Sequence, residues 1–182
     1  MKCAKSKSVR KSSVPGGHIQ IVKLDEGFRM LFDGATTDKK SRLYFADSQD
    51  LVTWTNVHAI EPAIAGPGVL IPRDSGRKNH LLLLGSGTIQ MATSRDSEDW
   101  ILREAPVLAP RPGYFDSGAL EVINGWVVDQ GLLLLYHSKK LEGKKERYSV
   151  GMAILEKENY DRILWRSSQP IWVSSSTPWA EG

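Results

Sequence analysis

YFADSQDLVTW at residues 44–54 and QMATSRDSEDW at residues 90–100 are one phrase written twice. They share Ala46/Ala92, Ser48/Ser94, Asp50/Asp96 and Trp54/Trp100, so the pattern A-x-S-x-D-x3-W recurs after 46 residues. A period of this size marks stacked or radial repeats, and a propeller blade is one unit that fits. Function in such an architecture is expected where blades converge on a central funnel. Within the phrase, alanine suits a strand crowded near a central axis. Serine and aspartate can bond nearby backbone amides and hold the turn that follows. Tryptophan closes the unit by burying a large ring whose indole N–H needs one partner.

Working outward from the phrase, three similar units can be marked. The first runs from about His18 to Glu61, with HIQIVKL, FRMLFDG and RLYFADS ahead of the Trp54 segment. Its apolar runs are short and bounded by turn residues at Asp25-Glu26-Gly27, Asp33-Gly34 and Asp47, the spacing of antiparallel hairpins. The second runs from about Gly66 to Leu108, with turns at Asp74-Ser75-Gly76 and Gly85-Ser86-Gly87. The third runs from about Ser117 to Trp172 and holds ALEVINGWVV, GLLLLYHS, YSVGMAILE and RILWRSSQPIW, without the repeated phrase. Leu81–Leu84 and Leu132–Leu135 are all apolar, as expected for strands buried on both faces between neighbouring blades. The best helical stretch, Leu155–Ile163, is short and interrupted by Asn159 and Tyr160. The fold class expected is all-β, a β-propeller of which about three blades are present. Residues 1–17 read as a basic, disordered tail and residues 18–182 as a single partial propeller domain.

Propellers close with roughly 4–8 blades. An open stack of three leaves two sheet faces uncovered. The chain is therefore expected either to be a piece of a longer protein or to associate with another copy. Its end at STPWAEG falls where another blade would begin.

Composition sets further bounds. The chain has 182 residues, 41% hydrophobic and 25% charged, ordinary for a soluble domain with a sizeable core. Much of the net charge of +3 sits in Lys2, Lys5, Lys7, Arg10 and Lys11. That tail lacks the apolar core of a secretory signal, and no run approaches the length of a membrane span. A solvated end is the expectation, with neither a membrane nor a nucleic acid as partner. Cys3 is the single cysteine, so there is no internal disulfide and no cysteine metal cluster. A cytoplasmic protein without cofactor or metal is expected. Phosphate-loop, zinc-protease and serine-elbow motifs are absent.

The densest polar constellation is RPGYFDSGALE, Arg111 to Glu121. Asp116 and Glu121, five residues apart between blades, are the candidate catalytic pair, since two carboxylates flanking a sugar can divide acid and base work. The alternative is that Asp116 caps a turn and Glu121 faces solvent. His137 ends one apolar run and Tyr148 opens the next; between them Lys139–Arg147 reads as a polar hairpin loop with four lysines and one arginine. His137 and Tyr148 at facing hairpin ends, joined by Arg111, would suit a phosphate or a carboxylate. Tyr114, Phe115 and Trp126 are available for stacking on a sugar face, with core packing as the competing role. The basic tail and loop also leave open the binding of an acidic polymer, to be recognised by steep salt dependence.

The strings PRPGYFDSGALE, GLLLLYHS, YSVGMAIL and R-I-L-x-R-S-x-x-P-I, with the A-x-S-x-D-x3-W phrase, resemble glycoside hydrolase family 130. This is the group of mannoside phosphorylases and mannosidases, five-bladed propellers related to families 32, 43 and 68. The resemblance spans about residues 18–173. It implies an inverting reaction on β-linked mannosides, with inorganic phosphate as co-substrate in phosphorylases and water in hydrolases. It implies that His137 and Tyr148 match phosphate contacts, that Asp116 matches the inter-blade aspartate, and that Glu121 matches a following acidic position. The proton-donating aspartate of the family lies in an early blade, where this chain reads Val14-Pro-Gly-Gly-His18. An oligosaccharide-processing enzyme is the leading expectation; a carbohydrate-binding or assembly module that kept the blade framework is the alternative.

Overall fold

The computed structural model describes residues 18–35, 41–61, 66–73, 78–85, 87–143 and 145–174. The basic tail, the turn expected at Asp74-Ser75-Gly76 and the C-terminal STPWAEG lie outside the described residues. In β1 (Ile19–Leu24) exposed and part-buried positions alternate strictly, with Ile19 and Ile21 on the exposed side. Strand β1 pairs with β2 (Gly27–Ala35), β2 with β3 (Ser41–Ser48) and β3 with β4 (Thr55–Ala59), all antiparallel. The same meander recurs in β5 (Gly68–Ile71), β6 (His80–Leu84), β7 (Gln90–Ser94) and β8 (Ile101–Leu102). The third sheet runs through β9 (Ala119–Val128), β10 (Gly131–Glu142), β11 (Lys145–Glu156) and β12 (Ile163–Arg166), and β13 (Trp172–Val173) also pairs with β11. The three units read from the sequence are therefore three sheets, and the fold is an all-β partial propeller of about three blades. Among the described residues there is no helix, and Leu155–Ile163 is the end of β11, a turn and the start of β12.

The sheets stack face to face. Leu31, Leu43 and Phe45 of the first sheet pack with Leu70, Leu82, Leu84, Ala92 and Trp100 of the second. The opposite face of the second sheet, with Val69, Ile71, Leu81, Leu83 and Met91, packs on Leu120, Val122, Leu132, Leu134, Tyr136, Ala153 and Leu155 of the third. This explains why Leu81–Leu84 have no polar alternation: the middle sheet is covered on both sides. Leu132–Leu135 follow that expectation only in part, because the third sheet is covered on one face and Leu133 and Leu135 look out from the other.

The Ser-x-Asp turn folds the same way in both copies of the repeated phrase, whereas Trp54 is only part-buried and Trp100 is buried. Ser48 Oγ accepts the Leu51 amide at 2.9 Å, and Asp50 Oδ1 accepts those of Val52 and Thr53 at 2.8 and 2.7 Å. Ser94 Oγ accepts the Ser97 amide at 2.9 Å, and Asp96 Oδ1 accepts those of Glu98 and Asp99 at 2.9 and 3.0 Å. Backbone amides hold both aspartates down to a pKa of about 2. Leu51 and Ser97 take the left-handed conformation at equivalent places, with φ of 63° and 66°. The expected turn role of serine and aspartate is what the geometry shows.

Four expectations need correction. The repeated alanines lie on β3 and β7, third in their sheets, so crowding comes from neighbouring sheets and not from a central axis. Trp100 is buried, but its Nε1 has no hydrogen-bond partner. Asp33-Gly34 is not a turn, because β2 continues through it, opposite Leu43 and Arg42. Lys139–Arg147 is not a loop either. Strands β10 and β11 remain paired out to Glu142 and Lys145, with Lys139 opposite Tyr148 and Lys140 opposite Arg147. Strand pairing satisfies the backbone, and Lys140, Lys145 and Arg147 stand exposed along the ribbon.

Candidate functional site

Segment 109–118 enters the third sheet across the end of the second. Gly87 and Leu120 exchange backbone hydrogen bonds at 3.1 and 3.0 Å, and Ile89 and Leu108 at 2.9 and 3.2 Å. The segment turns on itself, with the Arg111 amide donating to Asp116 O at 3.1 Å. Gly118 then runs so close to the Lys139 carbonyl that a Cβ would not fit. Its amide donates to Ser138 Oγ at 3.2 Å.

Asp116 is 0% exposed. Arg111 grips it as a fork, Nε to Oδ1 at 3.0 Å and Nη2 to Oδ2 at 2.9 Å. Tyr136 Oη donates to Oδ2 at 2.7 Å. Arg166 Nη2 lies 2.6 Å from the same oxygen, a contact of charge without hydrogen-bond alignment. Its Nε donates to Tyr136 Oη and its Nη1 to Ala109 O. Arg111 Nη2 also donates to Ser167 O at 2.6 Å. Burial pushes the Asp116 carboxyl up, but Arg111, Tyr136 and Arg166 outweigh it and hold the pKa below the usual range. The burial of Tyr136 raises its phenol. Gly151 leaves room for this lock, since a Cβ there would meet the Tyr136 ring end and Phe115.

Glu121 stands directly across from His137 on β9 and β10. His137 Nε2 and Glu121 Oε2 are 2.8 Å apart. The His137 contact, ahead of the opposing effect of burial, keeps the Glu121 carboxyl low. An ionised carboxylate only accepts, so Nε2 carries the proton and Nδ1 is left for another partner. Tyr148 packs its ring edge-to-face on His137 with centroids 5.6 Å apart. Tyr148 Oη donates to Glu146 Oε2 at 2.8 Å, and Lys139 Nζ lies 2.7 Å from Glu146 Oε1. Glu146 raises the Tyr148 phenol, while Lys139 lowers Glu146.

The two clusters do not merge. Tyr136 and His137 are consecutive on β10, so their side chains leave opposite faces of the sheet. Asp116 is tied to Tyr136 on the covered face, and Glu121 to His137 on the open one. The geometry therefore does not let Asp116 and Glu121 flank one sugar as an acid–base pair. Nor does Arg111 join His137 and Tyr148, because its guanidinium is engaged by Asp116 and Ser167. What the structure does bring together is Glu121, His137 and Tyr148. Sequence reading passed over their neighbours Lys139 and Glu146, and over Tyr136 and Arg166 in the lock. Tyr136 and Arg166 fall inside the GLLLLYHS and R-I-L-x-R strings, but spacing alone does not disclose that both reach Asp116. Tyr114 is half exposed under the Arg111 guanidinium at 4.5 Å, Phe115 packs against the core and Trp126 is exposed. Among the described residues no group of three His, Cys, Asp or Glu is placed to hold a metal ion, and no helix is long and apolar enough to cross a membrane.

The model of glycoside hydrolase family 130, beta-1,4-mannooligosaccharide phosphorylase, matches residues 18–177. Comparison with curated proteins gives no match. Among solved structures, a candidate glycosidase from Bacteroides thetaiotaomicron is 24% identical with a TM-score of 0.67, covering 87% of this chain and 54% of that one. A candidate glycoside hydrolase from Parabacteroides distasonis is 25% identical with a TM-score of 0.69, covering 84% and 52%. A third is 20% identical with a TM-score of 0.72, covering 87% and 53%. It was described with the statement that the family of mannoside phosphorylases contains glycoside hydrolases that target beta-1,2 mannosidic linkages in Candida mannan. The chain thus spans about half the length of the solved structures it matches. With the match running from the first described strand to beyond the last, the chain belongs to glycoside hydrolase family 130.

Proposed function

We propose that this chain serves an inverting cleavage of β-mannosides or related oligosaccharides, and that Glu121, His137 and Tyr148 form its sugar- and anion-contacting face. The observation that carries the reading is the joined Glu121–His137–Tyr148 row within a family 130 chain. In phosphorolysis an oxygen of dihydrogen phosphate bonds to the anomeric carbon, the glycosidic C–O bond breaks, and the leaving oxygen takes up the proton that the attacking phosphate gives up. Hydrolysis differs in using water. A depressed carboxylate is a poor proton donor and a weak base at neutral pH. Asp116 is accordingly an anchor for segment 109–118, and Glu121 a positioning residue that fixes the ring of His137. His137 Nδ1 and the Lys139–Tyr148 edge are the groups offered to a ligand. Inorganic phosphate as co-substrate and a cytoplasmic setting belong to this proposal.

The test is product analysis on β-1,4-mannobiose and mannosyl-glucose, with and without inorganic phosphate. Phosphate-dependent mannose 1-phosphate, lost in His137→Ala, is the expected result. Turnover unchanged in His137→Ala sinks the assignment. The locked state of Asp116 favours a second reading, a carbohydrate-binding module, which would show saturable binding and no product in either condition.

A further inference from the structure

The paired tip of β10 and β11 carries different chemistry on its two faces. Side chains alternate along each strand, so Lys139 and Tyr148 share a face with His137. Lys140 and Arg147 share the opposite face with Ser138 and Ser149, the face that packs on the second sheet lower down. On the His137 face the cation is neutralised, Lys139 by Glu146. On the other, Lys140 stands directly across from Arg147. Like charges opposed in this way weaken a strand pair. Both line a cleft of about 140 Å³ together with Tyr114, Phe115, Ser149 and Val173, and among the described residues no carboxylate lines it. Ser149 is buried and brings a hydroxyl to the cleft. The Arg111 guanidinium lies over one face of the Tyr114 ring at 4.5 Å, yet Tyr114 remains 51% exposed. Arg111 is itself neutralised by Asp116, so it steadies the ring and leaves the cleft charge to Lys140 and Arg147.

We propose that this cleft is a second binding site, for a sugar unit that carries an anionic group, either a carboxylate or a phosphate ester. The pyranose ring packs on the exposed side of Tyr114, and its anion lies between Lys140 and Arg147. An arginine fork matches two oxygens of either anion, and a lysine adds a compact charge beside it. The anion also relieves the repulsion between the opposed cations, which a neutral sugar cannot do. At about 140 Å³ the cleft is well below the roughly 300–1,000 Å³ of pockets that enclose drug-sized ligands. It therefore holds one charged unit and leaves the rest of an oligosaccharide in water. His137 and Tyr148 project from the other face of the ribbon, so the two sites do not share a ligand group. The sugar part of the inference rests on the carbohydrate reading proposed above; the anion part rests on the cleft alone.

Amide NMR titration of the 182-residue chain reads binding residue by residue, without reference to turnover. The probes are mannose 6-phosphate, mannuronate, mannose and inorganic phosphate, each to millimolar concentration. Saturable shifts at Tyr114, Lys140 and Ser149 are expected with mannose 6-phosphate or mannuronate, and the tighter of the two names the anion. Lys140→Ala should weaken that binding about tenfold, the effect of losing one hydrogen bond to a charged group, with no loss in the unfolding midpoint. Tyr114→Ala should weaken it too, and His137→Ala should leave it unchanged. No shift at the cleft with either charged sugar overturns the proposal. Equal affinity for mannose removes the role of the anion and overturns it. Inorganic phosphate binding as tightly as mannose 6-phosphate, with Tyr114→Ala indifferent, overturns it in favour of a simple ion site. Shifts abolished by His137→Ala place the probe on the other face of the ribbon and overturn it, while upholding the function proposed above. Absence of product from mannobiose, by contrast, refutes that function and leaves the cleft as it stands.

Discussion

Replacing Asp116 by asparagine keeps the shape of the side chain and removes its charge from an enclosed cluster. Arg111 retains a 24% exposed side chain and can turn to water, whereas Arg166 is 6% exposed and cannot. Removing one partner of a buried pair costs about 3–5 kcal/mol. The amide still accepts from Tyr136, and Arg111 rehydrates, so the cost belongs near the lower end, about 3 kcal/mol or roughly two powers of ten in the unfolding equilibrium. Urea unfolding followed by tryptophan fluorescence reads this as a lower midpoint at unchanged slope. The folded carboxyl is depressed, so its contribution is fully present above the unfolded aspartate value of about 3.9 and is lost as pH falls through the folded value. The gap between wild type and Asp116→Asn should therefore be flat from pH 7 to about 5 and close in stronger acid. A gap below about 1 kcal/mol at pH 7 would refute the lock, given the cost expected for a buried pair. So would a fully stable Asp116→Asn that has lost only turnover, because Asp116 would then be chemical and not structural.

Other expectations follow from the same contacts. Arg29 is buried between the first two sheets, forked on Asp47 and bonded to Ser97 and Glu98. Arg29→Met should destabilise by less than Asp116→Asn, because Asp47 and Glu98 both reach water; paired urea curves check the order. Ser94→Ala leaves the Ser97 amide without its acceptor and should cost about 1 kcal/mol, read as a lower melting temperature. Gly118→Ala forces segment 109–118 off the Lys139 carbonyl and should lower both stability and mannobiose affinity, seen by calorimetry. Glu121→Gln removes the carboxylate that fixes His137; binding should weaken with the unfolding midpoint preserved, and a midpoint loss as large as that of Asp116→Asn would mark Glu121 as structural.

The blades were legible because their evidence is local. Ser48-x-Asp50 and Ser94-x-Asp96 announce the same turn, and short apolar runs between turn residues announce hairpins. Strand ends were less legible at Asp33-Gly34 and Lys139–Arg147. There, turn-forming or charged residues sit within strands because partners across the sheet hold the backbone. The meeting of His137 and Tyr148 could be anticipated from apolar runs at facing ends of one hairpin, but the same reading groups Glu121 with Asp116, and Arg111 with the hairpin pair. The separation of Asp116 from Glu121 could not be anticipated, because it depends on the parity of β10: Tyr136 faces inward and takes Asp116, while His137 faces outward and takes Glu121. Arg166, 50 residues from Asp116 in sequence, meets it only through the pairing of β11 and β12.

The most direct test of the carbohydrate face is calorimetric titration of β-1,4-mannobiose, in phosphate and in phosphate-free buffer, into the wild type, His137→Ala and Asp116→Asn below its unfolding transition. The account predicts saturable binding by the wild type, at least tenfold weaker binding by His137→Ala with an unchanged melting temperature, and near wild-type affinity for folded Asp116→Asn. Equal affinity in wild type and His137→Ala, or loss of binding confined to Asp116→Asn, would contradict it.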